Sequence, residues 1–250
     1  MYFRILGPVA VLDDGVEIAL DGVKQRTVLG ALLTAEHGFV SDTELSAFLW
    51  GVHPPATLNA QIYNYVSRLR RALGPTVSIT RSAPGYLTRI SDDARFDLAE
   101  FEQLASGGHL TLAEGRPAEA RRCLQEALAL WRGPALANVS EHLNSAESPR
   151  LEEARISVQE SLVEAELALG RHGHVLPELT RLVARNPLRE RFRAQLMTTL
   201  YRCGRQAEAL GLYEHGRQIL GEELGVEPGL LLREVYQAII TADPALLATA

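Results

Sequence analysis

The spacing of apolar and polar residues changes once along the chain, near residue 95. Before that point apolar residues alternate over Tyr2–Leu6, Pro8–Leu12 and Val16–Leu20. Gly7–Pro8 and Asp13–Asp14–Gly15 separate these runs, so three short strands are predicted, with Asp-Gly as a hairpin turn. Three helical patterns follow. Val23 to His37 carries apolar positions 28, 29, 32 and 33 and stops before Gly38. Ser41–Asp42–Thr43–Glu44 has the form of a capping box and opens a short helix ending near Trp50–Gly51. Pro54–Pro55 then breaks the chain, and a third helix is predicted from about Thr57 to Leu73, before Gly74–Pro75. Alternation returns in Val77–Arg81 and Tyr86–Ile90, a hairpin around Ser82–Ala83–Pro84–Gly85.

From Phe96 onward the spacing is helical throughout. Leu169–Gly170–Arg171 and Cys203–Gly204–Arg205 place a Gly-Arg turn 34 residues apart. Ala113–Glu114–Gly115–Arg116 supplies an earlier copy, with an insertion around Trp131–Asn144. A 34-residue helix-turn-helix period is that of tetratricopeptide repeats, and glycine suits the left-handed residue that ends the first helix of each pair. The expected architecture is an α+β domain of three strands, three helices and a hairpin over residues 1–95, followed by an all-α tetratricopeptide-like domain over residues 96–250.

Composition narrows the function. The 250 residues are 46% hydrophobic and 22% charged, which is globular composition. Two cysteines, Cys123 and Cys203, make neither a disulfide framework nor a zinc spacing. No apolar run is long enough to span a membrane, and the N-terminus does not read as a leader, so a cytoplasmic protein is expected. Lys24 is the only lysine beside 24 arginines, a bias we assign to a GC-rich genome. His172 and His174 flank Gly173 and read as solvated, and no nucleophile elbow, His-Glu-x-x-His or phosphate loop occurs. No enzyme activity, cofactor or metal is expected.

The net charge of −6 argues against a nucleic-acid partner only until it is resolved along the chain. Residues 1–95 hold 9 basic and 9 acidic residues, while residues 96–250 hold 16 and 22. Between Leu45 and Ser91 there are five arginines and no Asp or Glu. At 100° per residue, Ile62, Val66, Leu69 and Leu73 of the third helix make one core stripe. Thr57, Gln61, Asn64, Arg68 and Arg71 form the opposite strip, with the amide and guanidinium groups that pair with adenine and guanine edges in a major groove. Tyr63 and Arg70 flank it, at positions suited to phosphate. Arg81, at the hairpin tip, is placed to enter the adjacent minor groove as a wing residue, while Arg89 covers the core. Lys24 and Arg26 begin the first helix, where positive charge opposes the helix dipole, and phosphate binding is their expected role.

Several motifs then carry a resemblance over nearly the whole chain. In the first half these are Leu6–Gly7–Pro8, Lys24–Gln25–Arg26, Leu49–Trp50–Gly51, Pro54–Pro55, Tyr65 to Leu73 and Pro84–Gly85–Tyr86. In the second they are Phe96–Asp97–Leu98, Leu130–Trp131–Arg132–Gly133, Glu152–Glu153–Ala154–Arg155, Asn186 to Glu190, Gly204 to Leu210 and Leu220 to Pro228. In this order they resemble the Streptomyces antibiotic regulatory protein family, which joins an OmpR-like winged helix to a bacterial transcriptional activation domain. The resemblance implies an activator of a secondary-metabolite gene cluster. It implies binding to double-stranded DNA at promoter direct repeats beside the −35 element, as a tandem dimer, and recruitment of RNA polymerase holoenzyme including its sigma factor. It makes the third helix the recognition helix and the hairpin the wing. Leu58–Asn59–Ala60–Gln61 is more polar than the family pattern, so no operator sequence is implied. With no phosphate loop before Ala250 and no receiver domain ahead of residue 1, a small family member is expected. The residues alone leave two alternatives: a repeat-scaffold adaptor that binds an acidic protein, and a repressor on the same operators.

Overall fold

The structure is a computed structural model that describes residues 1–246, apart from the side chains of Glu36 and Ala245. Residues 247–250, which close the expected second domain, lie outside the described residues. In chain order the first part comprises β1 (Tyr2–Arg4), β2 (Ala10–Asp13), β3 (Val16–Glu17), α1 (Gly22–Thr34), β4 (Phe39–Ser41), α2 (Asp42–Trp50), α3 (Leu58–Leu73), β5 (Val77–Ser82), β6 (Gly85–Ile90) and β7 (Arg95–Phe96). The three N-terminal strands form the expected meander but are shorter than the alternation suggests. Asp14 and Gly15 both take positive φ, which is what an Asp-Gly hairpin turn requires.

Two strands have no counterpart in the alternation pattern. β7 pairs in parallel with β1, Phe3 opposite Phe96, completing a sheet in the order β3-β2-β1-β7. β4 pairs with β6, Val40 opposite Tyr86, so the hairpin β5–β6 becomes a three-stranded wing sheet. At two and three residues, both are too short to show a period, and only their partners define them. The helix α1 stops at Thr34, three residues earlier than expected, and is buried on all sides from Thr27 to Thr34. A helix enclosed in this way has no polar face to mark its end.

Two compact units divide the chain, and they do not follow the expected boundary at residue 95. One comprises Met1–Leu104 with Glu126–Ile156; the other comprises Ala105–Gln125 with the chain from Ser157 onward. The return of residues 126–156 to the first unit has an identifiable cause in the Phe96–Asp97–Leu98 and Trp131–Arg132 motifs. The fully buried Asp97 carboxylate accepts from the backbone N–H groups of Ile5 (2.9 Å) and Leu6 (3.1 Å) and from the Arg132 guanidinium (2.9 Å). Burial pushes the Asp97 carboxyl up, against the downward pull of those donors. The chain beyond Arg132 then runs beside the turn after β1. The Arg132 N–H donates to Leu6 O (2.9 Å), the Leu136 N–H donates to Ile5 O (3.0 Å), and the Asn138 amide exchanges two hydrogen bonds with the Val9 backbone. Leu136, Val139 and Leu143 close over Gly30 of α1, where a Cβ would stand 3.1 Å from Leu143.

The helices of the second half are α4 (Asp97–Ala113), α5 (Pro117–Ala129), α6 (Glu141–Ala168), α7 (His172–Arg185), α8 (Glu190–Arg202), α9 (Gln206–Leu224) and α10 (Leu230–Ile240). The Gly-Arg turns of the second unit share one geometry. Gly115, Gly170 and Gly204 take φ of 71°, 73° and 76°. In each case the following arginine N–H reaches back 2.9 Å to the carbonyl five residues earlier, on Thr111, Glu166 and Leu200. This is the Schellman closure, which satisfies end carbonyls that a helix leaves unpaired. The repeat read from Gly-Arg spacing is therefore a repeat of helix termination. No helix among the described residues is long and apolar enough to cross a membrane.

Candidate nucleic-acid interface

The strip singled out by helical projection lies on α3. Ile62, Val66, Leu69 and Leu73 are all buried at 1% exposure or less, and they fix which side of the helix faces the core. Thr57, Tyr63, Asn64, Arg68 and Arg71 are exposed on the outside, and Gln61 is half-buried. Thr57 is the residue before the first helical turn, and its hydroxyl accepts from the Gln61 side-chain amide at 2.9 Å. That bond holds two of the expected base-reading groups together at the N-terminal end. At the other end Arg70 and Arg71 complement the helix dipole, and Gly74, at φ 58°, stops the helix.

The expected site residues differ in what they already do within the fold. Among the described residues, the side chains of Asn64, Arg68 and Arg71 make no hydrogen bond or ion pair, and their groups are available to a ligand. Arg70 is different: its Nε donates to Ile79 O at 2.7 Å and ties α3 to β5. The Lys24 ammonium lies 4.8 Å from the centroid of the Trp50 ring. Arg26 donates to the carbonyls of Asn138 (3.1 Å) and Leu20 (3.3 Å). Lys24 and Arg26, at the start of α1, therefore both have intramolecular partners besides the phosphate role expected of them. Arg26 in particular fastens the returning segment to the first unit.

Arg81 also departs from the expectation for a wing residue. Its guanidinium makes a two-pronged pair with Asp42 at the start of α2, both hydrogen bonds at 2.6 Å, and lies over the Tyr86 ring. The hydrogen bond from Arg81 to Asp42 raises the Arg81 pKa. Asp42 is bound a second time, its N–H donating to Pro84 O at 2.8 Å, so the wing tip and the start of α2 are held together. Asp42, Asn59, Tyr63, Arg70, Arg81 and Tyr86 enclose a recess of about 340 Å³ beside the strip. Neither Asp42 nor Asn59 is among the site residues expected from the sequence. Asp42 sits three places before the acid-free stretch and meets Arg81 across 39 residues of chain, a pairing that no local pattern announces.

These interactions give the surface its electrostatic character. The two carboxylates in the first turn of α2 are both occupied: Asp42 by Arg81, and Glu44 by the Ser41 hydroxyl and backbone N–H (2.8 Å) in the predicted capping box. The Ser41 hydrogen bonds hold the Glu44 carboxyl below its ordinary value. Arg68 and Arg71 are left as uncompensated cations beside the amides of Gln61 and Asn64. Such a surface favours an anion that also presents hydrogen-bonding edges.

Comparison with known proteins finds relatives that are named regulatory proteins. Residues 96–240 match the family model described as bacterial transcriptional activator domain. The chain is 41% identical over 244 residues to the regulatory protein AfsR of Streptomyces coelicolor, covering 98% of this chain but 24% of that protein. It therefore spans about a quarter of that relative's length. It is 35% identical to the regulatory protein DnrI of Streptomyces peucetius, covering 98% of this chain and 94% of DnrI. The structure of Mycobacterium tuberculosis EmbR, solved in complex with a low-affinity phosphopeptide, superposes with a TM-score of 0.89 at 34% identity. That match covers 97% of this chain and 65% of EmbR.

Proposed function

The chain belongs to the Streptomyces antibiotic regulatory protein family, a family of transcriptional regulators, and on that premise we propose that it binds duplex DNA through α3 and activates transcription. The observation that carries this reading is the outer strip of α3, where Asn64, Arg68 and Arg71 are exposed without partners inside a stretch free of acids. Thr57, Gln61, Asn64, Arg68 and Arg71 contact base edges in the major groove, with Tyr63 and Lys24 at the phosphates. Arg70 holds α3 on the wing sheet, and Arg26 serves the fold. Arg81 reaches the minor groove only by leaving Asp42.

The operator is a pair of direct repeats near a promoter −35 element, occupied by two protomers in tandem. The helical unit presents surface to a second protomer or to RNA polymerase holoenzyme with its sigma factor, in the cytoplasm. The target genes are a secondary-metabolite cluster, and the protein is not an enzyme. The test is transcription in vitro, with purified holoenzyme, from the promoters of the genes that neighbour its own. Added protein is expected to raise the transcript from a promoter that it footprints. A fall in transcript would reverse the sign to repression, and absence of any footprint on duplex DNA would overturn the DNA reading itself.

A further inference from the structure

A cavity of about 610 Å³ opens within the second unit, a volume in the range of small-molecule sites. Four parts of the chain enclose it: the turn between α4 and α5, the end of α6, one face of α8, and α10. On α8 the wall residues are Arg191, Ala194, Gln195, Thr198 and Arg202, a spacing of threes and fours that places them on one side of the helix. Small residues make the room. Gly115, Ala168 and Ala194 all stand on the wall, and a Cβ added at Gly115 would meet nothing within 4 Å. Leu112, Leu167, Leu231 and Val235 supply apolar surface around them.

The polar side chains of the wall are engaged with other protein groups. Arg191 and Glu164 pair with each other at 2.7 Å, both half-exposed. Arg202 donates to Leu246 O (2.7 Å) and Leu167 O (3.1 Å). The Gln195 amide donates to Glu160 O (2.8 Å), its oxygen is shut off from solvent, and the Thr198 hydroxyl donates to Ala194 O (3.0 Å). An ion entering here would leave water without a free counter-charge to receive it, which is costly. Apolar surface is in the reverse position. Leu231 is 47% exposed although it lines the cavity, so apolar area remains for a ligand to cover.

We propose that this cavity binds a neutral, apolar small molecule, an aromatic or branched hydrocarbon body that carries no charged group. Walls drawn from four parts of the chain suit a compact ligand better than a docked helix, which would lie along one groove. The site is independent of the DNA reading, since every wall residue belongs to the second unit and none is on α3.

The probe of choice is N-phenyl-1-naphthylamine, an uncharged aromatic body whose fluorescence rises in apolar surroundings. Titrated into the full chain, it is expected to bind saturably at one site. 8-Anilino-1-naphthalenesulfonate, the same body with a sulfonate, is expected to bind about tenfold more weakly. Leu231→Glu sets a carboxylate on the wall at a half-exposed position and should weaken the neutral probe about tenfold. Leu188→Glu, at a leucine of similar exposure (43%) away from the wall, should leave binding unchanged. Ala168→Phe fills the cavity and should remove saturable binding with the far-ultraviolet circular dichroism unchanged; if that variant does not fold, Leu231→Glu decides. Binding at many sites, equal or tighter binding of the sulfonate, or equal losses in the two glutamate variants would overturn the proposal. Self-association that the neutral probe reverses would assign the cavity to a second copy of this chain and overturn it as well.

Discussion

Arg68 and Arg71 on α3 and Arg189 and Arg193 at and within α8 are chemically identical side chains in opposite circumstances. Arg189 donates to the buried Glu160 carboxylate at 2.7 Å. Arg193 is 2% exposed and donates to the carbonyls of Leu212 (3.1 Å) and Pro187 (3.0 Å). On α3 the corresponding groups face water with no protein partner. The helical unit has these arginines closed onto carboxylates and carbonyls, so they add little to what an approaching anion meets. The first unit has fewer cations, but Arg68 and Arg71 on the α3 strip make no ion pair among the described residues, and the one acid beside the strip, Asp42, is taken by Arg81. A count of charges therefore says less about the partner than whether each charge is already compensated.

That contrast can be broken from either side. The largest effect is expected at Asp97. Asp97→Ala leaves the Arg132 guanidinium and the N–H groups of Ile5 and Leu6 without their acceptor, and should cost about 3–5 kcal/mol in urea unfolding. A loss under about 1 kcal/mol, the worth of one ordinary hydrogen bond, would mean that this carboxylate does not hold residues 126–156 to the first unit. Next comes Arg193→Ala, which leaves the carbonyls of Leu212 and Pro187 without their donor and opens a cavity where a buried side chain stood. It should cost about 2–3 kcal/mol and leave the intrinsic salt dependence of DNA binding as it was. A variant that weakened DNA binding without loss of stability would erase the distinction between compensated and free arginines.

Smaller effects sharpen the picture. Ser41→Ala removes the capping box and should cost about 1 kcal/mol. Because the folded Glu44 pKa is lowered, the stability it contributes is present above the ordinary glutamate range. That stability is lost as pH falls through the folded value. The difference between Ser41→Ala and wild type should accordingly shrink on acidification; a difference constant with pH would contradict the assignment. The mildest prediction concerns Asp42→Asn, which removes an acid beside the strip and releases Arg81. Duplex affinity should rise severalfold, and the slope of log affinity against log salt should steepen by about one. Unchanged binding would mean that Arg81 does not reach DNA even when free.

What can be read from the chain alone is what local chemistry encodes. The core stripe of α3, the Ser41–Glu44 box, the Asp14–Gly15 turn and the left-handed glycines at 115, 170 and 204 each follow from residues within a turn or two of one another. The features it hides all depend on distant partners. β7 exists because β1 is beside it, and β4 because β6 is. Residues 126–156 join the first unit through Asp97 and Asn138, and Arg81 is diverted by an aspartate 39 residues away. The basic residues of the strip are legible as a face, but not which of them the fold occupies. The sequence assigns a ligand to Arg26 and Arg70 just as it does to Arg68 and Arg71. Only the carbonyls of Asn138 and Ile79 show that the fold occupies the first two.

The central claim is that α3 meets DNA with arginines the fold does not need. It is tested most directly by the double variant Arg68→Ala/Arg71→Ala, measured for unfolding free energy and for affinity to a footprinted duplex across a range of salt. Stability within about 0.5 kcal/mol of wild type is predicted, with affinity lowered by about 1–3 kcal/mol for each arginine–base pairing removed and a shallower salt slope. Wild-type affinity with an unaltered slope, in a protein equally stable, would contradict it.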